Sequence, residues 1–130
     1  MTPDLTYLAY SALLLGVLWL PFAVGRTIAD GFPTAETYRD PTMPDLPLWV
    51  QRANRAHINN VQVFAPFAAL VLIAHITGQS NAMTALWCAV FFWARIAHAV
   101  VHLLGIAYVR TIAFLVGFAA LLGVFWEVAT

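Results

Sequence analysis

The chain has 130 residues, of which 62% are hydrophobic and 9% charged, and its mean hydropathy is +0.82. A water-soluble domain carries roughly a quarter charged residues, so composition excludes one. Six Arg, no Lys and six acidic residues cancel to a net charge of +0, which leaves no basic field for nucleic acid.

The first apolar run, about Leu5 to Val24, reads as a retained membrane span rather than a cleaved signal. Asp4 is the only charge before it, and no small-x-small site follows before Arg26. Thr2 or Asp4 can cap its start beside Pro3, Trp19 and Phe22 suit an interface, and Pro21 should bend or end the last turn. Residues 27–47 form a polar loop with four prolines (Pro33, Pro41, Pro44, Pro47) and most of the acids; such a loop does not cross a bilayer.

The second span, about Leu48 to Ile76, begins polar and turns apolar beyond Gln62, with Pro66 as a kink. At 100° per residue, Arg52, Arg55, Asn59 and Gln62 lie within about 80° of one another. Asn54, His57 and Asn60 form a second polar face. The first face could look into its own bundle, and this second face would then need a neighbouring subunit. Thr77 to Asn81 is a turn. The third span, about Ala82 to Leu104, carries Arg95, His98 and His102 at i, i+3 and i+7, one helical face. Cys88 has no Cys or His at metal-ligand spacing and reads as a small buried hydrophobe; no metal site is expected. Gly105 to Tyr108 is a tight turn. Arg110 opens the fourth span, about 110–128, where Gly117, Ala119, Ala120 and Gly123 allow close packing.

Four spans joined mostly by short turns predict an all-α, antiparallel four-helix membrane bundle within a single domain, residues 1–130. Arg26, Arg39, Arg52, Arg55 and Arg110 lie in or near the first and third loops. The positive-inside rule puts those loops in the cytoplasm and both termini outside, with a bacterial inner membrane the expected setting. Every span then sends an Arg to one layer, where the spans offer no Asp or Glu. A net positive layer inside a bilayer needs an anion, and a small polyanionic ligand meets that need.

These residues resemble the MAPEG family, the membrane-associated proteins of eicosanoid and glutathione metabolism. Its second span looks like R-A-x-x-N-x-x-E followed shortly by proline, matched by Arg55, Ala56, Asn59, Gln62 and Pro66. Its third resembles R-x-x-H/Y-x-x-x-Y, matched by Arg95, His98 and His102. Arg26 resembles the arginine ending the family's first span, and Arg110 the one after its third. The resemblance implies a homotrimer among membrane lipids, with glutathione as cosubstrate in a cleft between subunits and a lipophilic small molecule as the acceptor. It implies Arg110 as the cation that stabilises the thiolate, Thr111 as a hydroxyl donor beside it, and Arg26, Arg52, Arg55, Asn59, Gln62, Arg95, His98 and His102 as the residues holding the peptide. Gln62 replaces the family's Glu and His102 its Tyr. These departures favour an alternative: a non-catalytic member of the same fold that binds a lipid headgroup or organic anion. A haem bundle ligated by His57 and His98 is a third possibility.

Overall fold

The computed structural model describes residues 1–31, 34, 35 and 46–130, with the backbone alone at Asp30. The expectations placed on Pro33, Arg39, Pro41, Pro44 and the acids between them lie outside the described residues. Four helices follow in order: α1 (Pro3–Asp30), α2 (Leu48–Ile76), α3 (Ala82–Leu104) and α4 (Ala107–Ala129). All four are long and apolar enough to cross a membrane, and among the described residues there is no strand. The protein is an all-α, four-helix integral membrane bundle.

Two boundaries differ from those read in the sequence. α1 runs through Pro21 to Asp30 and stops at Gly31, whose N–H bonds Thr27 O at 2.9 Å. In lipid no water is on hand to satisfy a broken helix, so continuing past the proline costs less than ending there. Arg26 therefore sits within the helix. The third turn is also tighter than expected, because α4 begins at Ala107. Gly105 makes this possible by ending α3 in the left-handed conformation, φ 77°. Thr2 takes the cap position of α1 without a side-chain bond. At α3 the cap is complete: Asn81 Oδ1 accepts from the backbone of Met83 (2.8 Å) and Thr84 (3.0 Å), and Thr84 Oγ1 accepts from Asn81 N (2.8 Å).

α2 and α3 touch each other and both remaining helices, whereas α1 and α4 do not meet. The cross-section is a rhombus with α2 and α3 on its short diagonal. The dry core fills the half nearer both termini. Phe67 and Val71 from α2 pack with Cys88 and Phe91 from α3 and with Ala120 and Val124 from α4. The rings of Phe67 and Phe91 stack, 3.7 Å between centroids and 8° between planes. Against lipid such packing acts through van der Waals contact rather than water release. Hence it depends on close backbone approach. A Cβ added at Gly123 would fall 2.4 Å from the Trp87 indole, and one at Gly25 would fall 2.6 Å from Trp49 and Val50. Ala120 is buried in the same seam, while Ala119 faces outward.

Gly123→Ala should lower stability by about 1–3 kcal/mol through overpacking. Gly16→Ala, where an added Cβ meets nothing within 4 Å, should be neutral or gain up to about 1 kcal/mol of helix propensity. Thermal unfolding midpoints of the two variants in detergent check this contrast.

Candidate functional site

Below the dry core, towards the loop between α3 and α4, the bundle turns polar. On α2 the buried residues are Val50, Ala53, Ala56, Asn60, Phe67, Val71 and Ala74, a sector about 120° wide at 100° per residue. It overlaps the second polar face and leaves the face of Arg52, Arg55, Asn59 and Gln62 to one side. Asn60, assigned to the face awaiting a neighbour, is buried in its own subunit. Arg55 and Gln62, on the other face, are exposed. The inward side carries the small buried residues Ala53 and Ala56 and meets the needs of one buried cation on α3.

That cation is Arg95, 2% exposed. Its Nε donates to Asn60 Oδ1 at 3.2 Å and its Nη2 to Asn59 Oδ1 at 2.5 Å. Nη2 also approaches His98 Nδ1 at 3.4 Å. A guanidinium only donates, so Nδ1 must accept there and the ring proton of His98 lies on Nε2. Gly117 of α4 gives the Arg95 stem its room: an added Cβ would sit 3.5 Å from Arg95 Cδ. Among the described residues no carboxylate pairs with Arg95. Two neutral amide oxygens hold it instead.

One helical turn further along α3, His102 stacks edge-on to His98 at 5.3 Å between ring centroids. It is buried, and neither of its ring nitrogens has a hydrogen-bond partner. Arg52, Arg55, Arg95 and Arg110 all lie within electrostatic reach of it. The shared layer of guanidiniums expected from the spacing therefore forms from three helices. Arg26 of α1 lies next to Gly25, which packs on Trp49 and Val50 at the start of α2, but it is not among the arginines acting on His102.

A cleft of about 270 Å³ opens beside these groups, walled by Asn59, His98, His102, Arg110, Thr111 and Phe114. Five of the ten residues singled out in the sequence thus line one space, and Arg95 holds one of the five, Asn59, by a hydrogen bond. Arg52 has another attachment. Its Nε donates to Leu103 O at 3.2 Å, placing a cation against the last turn of α3. Phe114 was missed in the sequence; its position three and four residues after Thr111 and Arg110 puts it on their helical face. The pairing of Asn60 with Arg95 was missed too. Only the width of the buried stripe reveals it.

Arg95→Lys should destabilise the fold by about 1–3 kcal/mol, because a single ammonium on a flexible stem cannot replace a fork that reaches Asn59 and Asn60 together. Thermal unfolding compared with an Asn60→Ala variant checks this. The double variant should cost less than the sum of the two single ones.

No curated protein matches the chain. A family model does, over residues 5–130, nearly the full length. It covers all four spans and every wall of the cleft, and by that match the chain belongs to the MAPEG family.

Proposed function

We propose that the protein is a glutathione-dependent transferase or peroxidase for lipophilic electrophiles, acting in the arginine-bearing half of the bilayer. The observation that supports this most directly is His102. A buried imidazole with both nitrogens unpartnered lines a cleft, among four guanidiniums that no described carboxylate neutralises. Each unmet polar group of this kind costs about 1–3 kcal/mol, so the cleft favours a ligand that brings both hydrogen bonds and negative charge. Glutathione brings two carboxylates, peptide amides and a thiol.

Arg110 and Thr111 sit side by side on the cleft wall. A guanidinium and a hydroxyl near sulfur stabilise the thiolate over the thiol and raise the reactive fraction at neutral pH. In conjugation, the thiolate forms a sulfur–carbon bond while the leaving group departs with its electron pair; the thiol proton passes to solvent. In hydroperoxide reduction, two thiols become a disulfide while the hydroperoxide becomes an alcohol and water. Phe114 supplies the apolar side of the same cleft, fitting an acceptor that arrives from lipid.

Arg55 and Gln62 remain exposed on a single subunit. A charged side chain facing hydrocarbon costs about 2.5–3.5 kcal/mol or more, which supports a homotrimer whose next subunit covers this face and completes the site. The positive-inside rule supports an arginine-rich end in the cytoplasm with both termini outside, in keeping with a bacterial inner membrane. The alternative is a non-catalytic member binding a lipid headgroup or organic anion. It draws support from Asn59, whose Oδ1 is already engaged by Arg95, and from uncharged Gln62.

Calorimetry on the purified protein in detergent should give glutathione binding with Kd between about 1 μM and 1 mM, and mass measurement should give three copies. Adding glutathione should raise thiolate absorbance. Arg110→Ala should abolish that rise and cut turnover with an electrophile by about 10²–10³-fold, while binding persists. No glutathione binding, with co-purified lipid in native mass spectrometry, would establish the alternative instead.

A further inference from the structure

We propose that the opposite end of the bundle, where both termini lie, binds a primary ammonium group. There a cleft of about 320 Å³ is formed by Thr2 and Asp4 at the start of α1, Ser80 and Asn81 of the turn before α3, and Ala82 and Ala85 on α3 itself. Asp4 is 2% exposed. Its Oδ1 accepts from Leu5 N at 3.2 Å, and its Oδ2 has no partner. Thr2 and Ser80 lie beside the carboxylate, yet the buried Ser80 Oγ also lacks a hydrogen-bond partner. Turning the Thr2 and Ser80 hydroxyls towards Asp4 would supply two donors, and a carboxylate accepts about four.

The surroundings define what the missing donor must be. Asn81 is fully committed: Oδ1 caps α3, while Nδ2 donates to Glu127 Oε2 at 3.0 Å and lies 3.4 Å from Gln79 O. A second carboxylate thus stands one hydrogen bond behind the cleft wall. Every described Arg is in the other half of the bundle; the bases near this end are His75 in the last turn of α2 and the α-amino group of Met1 beside Thr2, both on exposed residues and neither bonded to Asp4 Oδ2. Two carboxylates repel an anion such as phosphate. A divalent metal wants six or more oxygens, and the described residues contain no group of three His, Cys, Asp or Glu able to hold one. An ammonium has the right sign and three N–H donors for Asp4 Oδ2, Ser80 Oγ and a backbone or lipid oxygen. A quaternary ammonium has the sign but no donors. Residues at the starts of α1 and α3 both border this cleft.

The cleft lies at the ends of the spans Pro3–Ala29 and Ala82–Leu104, where bilayer and water meet. An ethanolamine-type lipid headgroup and a soluble amine share the required chemistry. The test compares thermal unfolding midpoints of the full chain in nanodiscs of choline lipid, of the same lipid with ethanolamine lipid added, and of choline lipid with free ethanolamine in the buffer. Ethanolamine lipid should raise the midpoint by about 4 °C or more over choline lipid, and Asp4→Asn should lose that rise. Ser80→Ala should reduce it and carries the comparison should Asp4→Asn not yield folded protein. A rise with free ethanolamine too would make the source a soluble amine, and a rise with the lipid alone would make it the headgroup. No rise with either amine, or an undiminished rise in both variants, overturns the proposal.

Discussion

A guanidinium inside a bilayer, held by amides rather than carboxylates, sets the terms for this protein. Arg95 cannot reach water, and its donors must be met within the bundle. Asn59 and Asn60 meet them from α2, which fixes the depth of α2 against α3 to within a hydrogen bond. Because amides carry no charge, the positive charge of Arg95 is not cancelled. It remains available to the layer that Arg52, Arg55 and Arg110 share around His102. An Asp or Glu in place of either Asn would have tied the helices as firmly and removed the field that makes the cleft attractive to an anion. Structural anchoring and ligand attraction thus reside in the same side chain.

The other arginines divide the work differently. Arg52 lies over the end of α3, with Gly105 leaving space for its guanidinium: an added Cβ would be 3.3 Å from Arg52 Cζ. It steadies the α3–α4 turn, and through that turn it positions Arg110 and Thr111 at the cleft. Arg55 is exposed and makes no hydrogen bond among the described residues. A residue placed alike on the helical wheel therefore differs in role through its neighbours on α3. That is the information a wheel omits.

Much of the fold was legible from the sequence. The bounds of α2 and α3 agree with the sequence because α2 ends in the polar turn Thr77 to Asn81 and α3 ends at a glycine, Gly105. The end of α1 was misplaced because a proline was weighed as in water, whereas in lipid the helix continues through Pro21. For the site, the spacing of Arg95, His98 and His102 gave one face, and one face is what α3 buries. On α2, periodicity grouped the polar residues into two faces but could not say which faced inward. The inward side carries two alanines, Ala53 and Ala56, too common in membrane helices to carry a signal alone. Asn60 was therefore assigned outward, although it is the residue α3 requires.

Between the two polar ends lies the stacked pair Phe67 and Phe91, with Val71, Cys88, Ala120 and Val124 around it. A plug of this kind admits no chain of waters, so protons and ions have no continuous wire from one leaflet to the other. The protein can keep charged groups at both faces of a membrane without leaking its potential. Electrical insulation, rather than stability alone, is then what would constrain the aromatic stack, and a polar side chain there would carry its penalty as conductance.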